Sequence, residues 1–386
     1  MRIRCCENRD PVTEHVPACY KVTCACASIQ ASYSKVLPMS QSSETLKHSP
    51  SSAQRPSKRP RSSSESVTQF GGPATRSELF WIDDGNIILE ADGIQFRVHR
   101  SMLSRESSVF QGMFTVPQPP NKPQIEGCPV VHLSDSGRDV ECFLKAIYDG
   151  RWFHGEPRIK IADITRILRM GRKYDCPRFR RDVLKRFSTD FPNSSLAEWE
   201  QVSDKSFSAF EDDDGLRLDV LELAREYGFD SILPIVYYDC ISFYTVQNIL
   251  DGDPRDDQTL ATLSPDVQAM CLAGVHKLRQ ALLKHTFKWL SGPYALTPLS
   301  NACSQPKRCR FKTAVLATKL LDDSPQTIAG LKSWAKWANN IGESEKLCDP
   351  CWHEAQLSYE EGRETLWNAL PSPFGLPTWD ELKNDA

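Results

Sequence analysis

Four cysteines in the last third of the chain have the residue type and spacing best suited to chemistry. Five residues separate Cys303 from Cys309, and Cys348-Asp349-Pro350-Cys351 is a C-x-x-C whose short turn can aim two thiolates at one ion. Four such sulfurs would close a tetrahedral site, which suits a structural zinc. The first spacing is wider than the usual range of about two to four, and 38 residues lie between the pairs. A set of reduced thiols in loops is therefore the alternative. His353 could replace one ligand. Cys351 with His353 as its base is a poor nucleophile pair, because two positions of one loop lack the reach that general-base activation needs. The sequence has no G-x-S-x-G elbow, phosphate-cradling glycine loop, H-E-x-x-H or dinucleotide fingerprint, so no enzyme activity is expected. A second charged motif is Arg55-Pro56-Ser57-Lys58-Arg59-Pro60-Arg61. Its Lys58, Arg59 and Arg61 could be bound by acidic grooves of nuclear import receptors; otherwise it is a solvated run of charge. Phosphorylation of Ser57, Ser62, Ser63 or Ser64 would oppose such binding.

With 386 residues, 40% of them hydrophobic and 25% charged, the chain is long enough for two domains plus tails. No apolar run approaches the roughly 20 residues that cross a bilayer, and the N-terminus lacks the apolar core of a signal peptide. A nuclear or cytoplasmic address follows, with no membrane partner. At that address most of the 14 cysteines are buried thiols or metal ligands rather than disulfides. Cys142, Cys176, Cys240 and Cys271 lie in helical patterns or at their ends and belong to the core. A net charge of −3 and a pI near 6.3 leave no global basic field. Direct nucleic-acid binding is thus not expected of the chain as a whole, and any such contact would have to be local. Residues 1–76 read as a disordered tail. Met1 to Pro38 carries Cys5, Cys6, Cys19, Cys24 and Cys26 without periodicity, and Cys24-Ala25-Cys26 is too isolated for a metal site. Ser40 to Ser77 is rich in Ser and Pro, with too few large apolar residues to offset chain entropy. Met39, directly before that stretch, is an alternative start.

The clearest elements lie between Asn86 and Phe114. Asp92-Gly93 separates two apolar runs and predicts a β-hairpin, because both central positions of the tight turn need positive φ. Ile94, Phe96 and Val98 alternate with Gln95, Arg97 and His99, so one face of the second strand is buried and the other wet. A helical pattern follows, with Met102, Leu103, Val109, Phe110 and Met113/Phe114 at its buried positions. Val130 to Leu133 reads as a short strand. Ser136 to Asp139 fits a capping box opening a helix whose Val140, Phe143, Leu144 and Ile147 share one face. Ile164, Ile167, Leu168 and Gly171 repeat the spacing, and Pro177 separates that helix from one bearing Phe179, Val183, Leu184 and Phe187. This order is α+β.

The run through Val98, His99, Arg100, Leu103, Ser107 and Phe110 resembles the BTB (POZ) domain family. There a hairpin leads through V-H-[RK]-x-x-L-x-x-x-S-x-x-F into the first helices. The resemblance covers residues 77–192 and implies a protein-interaction module with the BTB fold. Dimers in the family join mainly through the first helix and the strand before it. That implicates Ile82, Ile87, Leu89, Met102, Leu103 and Phe110 here, some of which must serve the core instead. His99 and Arg100 would form a polar pocket at the interface, or His99 would simply cap the strand end. The expected role is a homodimer or heterodimer acting as an adaptor in a nuclear regulatory complex. Family members that dock onto a cullin-type ubiquitin ligase scaffold often carry an apolar residue two before a glutamate. Gln124 stands two before Glu126, so substrate adaptation for such a ligase is a disfavoured alternative. Pro117, Pro119, Pro120, Pro123 and Pro129 predict an extended link, and Arg151 to Gly155 lengthens the turn after Tyr148-Asp149-Gly150.

Residues 193–386 read as mostly helical. Glu211 to Asp214 places negative charge before a helix with Leu216, Val220, Leu223, Ala224 and Tyr227 on its apolar face and Gly228 at its C-cap. Ser264-Pro265 starts another, marked by Val267, Cys271, Leu278, Leu282, His285 and Trp289 and stopped by Ser291-Gly292-Pro293. His285 reads as a core histidine. The final segments, Trp367 to Pro371 and Phe374 to Trp379, resemble the tail of fungal BTB-domain proteins, whose Trp- and Pro-rich turns fold back to cap a core. A zinc-containing, DNA-binding transcription regulator is the remaining alternative. It lacks repeated C-x-x-C and H-x-x-x-H units, and Lys307-Arg308-Cys309-Arg310 is only a small basic patch.

Overall fold

The turn at Asp92 and Gly93, with φ of 51° and 73°, closes a hairpin between β2 (Ile87–Ala91) and β3 (Ile94–Val98) in the computed structural model of the chain. Its described residues are 74–116, 124–150, 158–203, 205–291, 297–321 and 330–383. The basic cluster, the segment Met1 to Pro38 and residues 151–155 lie outside them, as does most of the proline-rich link. β1 (Thr75–Trp81) pairs in parallel with β3, and β5 (Cys128–His132) in parallel with β2. β4 (Gln124–Ile125) is antiparallel to β5, so the strand order is β1-β3-β2-β5-β4. Ile87, Leu89, Ala91, Phe96 and Val98 belong to the main core, while Ile88, Cys128 and Val130 form a second small cluster against Trp81 and Ile125. The wet face is therefore not wholly wet. Gln95 is buried, and its amide nitrogen donates to Glu90 Oε2 of its cross-strand neighbour at 2.7 Å.

The helical pattern after the hairpin is two helices, α1 (Arg100–Glu106) and α2 (Ser108–Thr115). Ser107 is extended, and its Oγ accepts from Phe110 N–H at 3.0 Å while donating to Tyr174 O. That cap restarts the helix in a new phase, which buries Phe110 and leaves Val109 exposed, against the expectation for Val109. Ser136 likewise opens α3 (Gly137–Tyr148), accepting from Asp139 N–H at 3.1 Å. The Asp139 carboxylate does not complete the box; it turns to Arg169 at 2.7 Å. In α3, α4 (Ile161–Lys173) and α5 (Pro177–Asp190) every apolar residue assigned to a buried face is buried. Each such Phe, Leu, Ile or Val contributes roughly 1.5–3 kcal/mol.

Helices continue as α6 (Leu196–Val202), α7 (Leu216–Glu226), α8 (Leu233–Phe243) and α9 (Val246–Asp251), then a short hairpin of β6 (Asp253–Pro254) and β7 (Leu260–Ala261). α10 (Pro265–Lys284), α11 (Pro306–Thr318), α12 (Trp334–Ala338), α13 (Asp349–Ala369) and α14 (Trp379–Lys383) complete the chain. Pro265 stands in the first turn of α10, whereas the Ser264 side chain makes no cap bond. The Ser264 N–H donates instead to Glu222 Oε2 at 3.0 Å. α10 ends before His285, and Trp289 sits on the 3-10 turn Lys288–Leu290. There α13 comes so close that a Cβ on Gly362 would lie 2.4 Å from the His285 carbonyl oxygen. Phe287, Trp289, Trp334, Trp337 and Tyr359 pack ring against ring. At the C-terminal end Trp379 Nε1 donates to Trp367 O at 2.7 Å, and Phe374 stacks on Tyr237 at 4.8 Å. One continuous core runs from Phe80 to Trp379 among the described residues.

Candidate functional site

The four C-terminal cysteines converge because two helices begin side by side. Pro306 and Pro350 stand in the first turns of α11 and α13. Cys309 and Cys351 lie in those same turns, Cys348 is the N-cap of α13, and Cys303 precedes α11 with its N–H on Ser300 O at 3.2 Å. The four Sγ atoms all lie within 4.8 Å of one another, and those of Cys303 and Cys348 are 3.7 Å apart. A tetrahedron of sulfurs with metal–sulfur bonds of about 2.3 Å has edges of about 3.8 Å, so small closures would complete it. The Cys348 N–H points at Cys309 Sγ at 3.4 Å, a bond that favours a thiolate there. Burial pushes the Cys309 thiol up, and the Cys351 thiol to about 12. At Cys348 burial acts in the same sense, but the Cys351 N–H and the neighbouring thiols hold it down at about 6. This donor set could hold a metal ion, whose charge would invert the cost of gathering thiolates. His353 does not join it. It is exposed on α13, about 200° around the helix from Cys351, which also removes it as a base for that thiol.

Cys128, Cys142, Cys176, Cys240 and Cys271 are buried free thiols. A cleft of about 530 Å³ lies beside α4, α7 and the β6–β7 turn. Its Asp219 is gripped by Arg255 at 2.6 Å to both oxygens. Burial still moves that carboxyl upward against the pull of Arg255. Arg169 in the same cleft is held by Asp139.

At the other end of the chain, the junction of β3 with α1 is a polar knot. Both the His99 N–H and its Nδ1 meet Tyr148 Oη, at 2.8 and 3.1 Å, and Nε2 lies 3.1 Å from Asp84. Arg100 donates from its backbone to Asn86 Oδ1 at 2.8 Å, while its guanidinium reaches Phe114 O at 2.9 Å and covers the Phe114 ring. Glu126 occupies the β4–β5 turn with positive φ and is taken up by Arg76 and Arg97. Over residues 83–189 the sequence matches the BTB/POZ domain family. The chain carries a BTB/POZ domain. No curated protein matches it.

The BTB domain is a protein–protein interaction module, and the structure sorts its candidate contact residues. Ile87, Leu89, Leu103 and Phe110 are fully buried in the chain's own core, Phe110 stacked on Tyr174 at 4.7 Å. Burial gives those four to folding. Ile82 and Met102 are half-buried at the end of β1 and on α1, and His99 and Arg100 are committed within the chain. Sequence reasoning did not single out Leu79, which is 60% exposed on β1 at the edge of the sheet. Phe80 and Trp81 follow it directly, so no alternation in the sequence marks it as the exposed one. Arg363, Tyr238 and Glu360, which anchor residues 331–334, were also missed; no local pattern marks such long-range pairing.

Proposed function

We propose that this chain is a non-enzymatic interaction protein that dimerises through its BTB domain and acts as an adaptor in a nuclear regulatory complex. The observation carrying this reading is apolar surface on an interaction domain. Leu79 is exposed on the edge strand β1, Val109 is exposed on α2, and Ile82 and Met102 are half-open between them in sequence. Light scattering coupled to size exclusion, on the full chain, should give the mass of a dimer. Leu79→Lys with Met102→Glu should give a monomer of unchanged helical content. A wild-type monomer across micromolar concentrations would overturn self-association. The nuclear part rests on Lys58, Arg59 and Arg61: replacing Lys58 and Arg59 with Ala should reduce nuclear accumulation, and unchanged enrichment would reduce the cluster to solvated charge. Glu126 spends its carboxylate on Arg76 and Arg97, which gives the cullin-adaptor alternative no support.

Cys303, Cys309, Cys348 and Cys351 are assigned to one structural zinc. The support is four sulfurs, and no other ligand type, gathered at two helix starts with spacing near that of a tetrahedron. Such an ion would tie together segments 38 residues apart in sequence. Elemental analysis of the purified protein should return one zinc per chain, lost in Cys351→Ser. Metal-free protein with four freely titrating thiols would sink the assignment.

A further inference from the structure

Between Asp266 and Asp322 the sequence has no Asp or Glu and nine Lys or Arg, in a chain whose net charge is −3. This segment comprises α10, the turn after it and α11, and the turn Lys288–Leu290 packs against α11. Two of its cations find carboxylates elsewhere, Lys288 at Glu361 and Lys319 at Glu345, each at 2.6 Å. Lys277, Lys284, Lys307, Arg308 and Arg310 are exposed and meet no carboxylate among the described residues. In the BTB domain the pattern is the reverse, with Arg97, Arg138, Arg166, Arg169 and Lys173 each on a carboxylate. Lys307, Arg308 and Arg310 share the start of one helix without neutralising partners, and such cations repel one another unless a polyanion joins them.

On α11 the placement is specific. At about 100° per residue, Lys307, Arg308 and Arg310 span an arc of about 160° with Phe311 near its middle. Phe311 is 70% exposed, the most open of the large apolar side chains described, while Cys309, Thr313 and Leu316 occupy the buried side. Four thiolates around a divalent ion keep a net double negative charge and would draw on nearby cations. That accounts for only part of the unpaired set and for nothing about an open phenyl ring. An aromatic ring framed by cations fits a strand of phosphates carrying accessible bases, where stacking and phosphate contact act together. An acidic protein segment would use the charges and leave the ring idle.

We infer that the outer face of α11, with Lys307, Arg308, Arg310 and Phe311, binds single-stranded nucleic acid. The test uses the full chain with Lys58, Arg59 and Arg61 replaced by Ala, so that the tail does not contribute, and follows the fluorescence anisotropy of a labelled 20-nucleotide oligouridine. Saturable binding is expected, with log K falling against log salt at a slope of about −2, for about three phosphates neutralised. Lys307→Glu with Arg310→Glu should weaken binding at least tenfold. Phe311→Ala should weaken it about fivefold or more with the slope unchanged, because stacking releases no counterions. Circular dichroism and zinc content would verify that the variants stay folded. Three results would overturn the inference: no saturable binding at 50 mM salt, Phe311→Ala without effect, or equal affinity for a polyglutamate peptide, which would make the face a site for acidic proteins.

Discussion

The BTB domain and the helical region that follows share one continuous core, yet the contacts that fix each of them differ. In the BTB domain the contacts are apolar and periodic: Phe110, Phe143 and Tyr174 pack ring on ring, and Val140, Leu144 and Ile147 line one face of α3. In the C-terminal region directional bonds between distant residues fix the backbone. Leu331 N–H donates to Tyr238 Oη at 3.0 Å, and Leu331 O accepts from Arg363 Nε and Nη2 at 3.2 and 2.8 Å. Trp334 N–H donates to Glu360 Oε1 at 2.9 Å, and Tyr359 Oη donates to Lys332 O at 3.0 Å. Arg363 is almost wholly buried and also reaches Glu200 at 3.2 Å. Both regions are stabilised by surface removed from water, and the second adds a few polar anchors that join residues far apart in sequence. It follows that a substitution in the first should cost what its own burial supplies, whereas one at an anchor of the second should also loosen the distant segment that it holds.

The largest expected effect comes from the sulfur cluster. Cys351→Ser, or stripping metal with a strong chelator, should cost several kcal/mol if an ion ties α11 to α13, since metal binding and folding are one event at such sites. Hydrogen exchange should accelerate first in α11 and α13 while β2 and β3 stay protected; uniform acceleration would break the contrast between the regions. Next, Phe110→Ala should cost about 3–5 kcal/mol, seen as a lower urea midpoint at constant slope. A loss under 1 kcal/mol would mean that the stacked cluster is not the centre of the BTB core. Arg363→Ala should cost about 3 kcal/mol, because it strands Leu331 O and two carboxylates, although Glu200 and Glu360 keep some water. Arg363→Met should cost less, by retaining packing. If the two variants were equal, polar anchoring would not be what distinguishes this region.

The smallest effect is the pH response of His285. Burial, then the charges of Lys284 and Lys288, lower its pKa from the usual 6.5. The unfolded chain then binds the proton more readily than the folded one, so stability rises with pH through the interval just below 6.5 and is lost on acidification. Melting temperatures at pH 5.5 and 7.5 should differ less in His285→Gln than in the parent. An unchanged difference would place the acid sensitivity on other groups.

Much of the BTB domain was legible in order because its signals are local. A turn that needs positive φ, a hydroxyl ahead of a helix and apolar residues at helical spacing each restrict a few consecutive residues, and they agreed on strand, cap and buried face. They failed where tertiary packing overrides a local period. Val109 sits on the pattern yet is exposed, since Ser107 is held by Tyr174 and restarts the helix. Gln95 alternates with apolar residues yet is buried, because Glu90 stands across from it in β2.

For the candidate sites, the sequence by itself determined which residues could ligate and which could carry charge: four cysteines in two pairs, a BTB motif, and a long stretch without carboxylates. Only the tertiary structure decided that the pairs meet, that His353 stands apart, and that Ile87, Leu89, Leu103 and Phe110 belong to the interior. The physical reason is range. Backbone torsion and side-chain period act over a few residues, whereas the meeting of Cys303 with Cys348, or Tyr238 with Leu331, depends on where whole helices pack, and that is set by the sum of many burials spread along the chain.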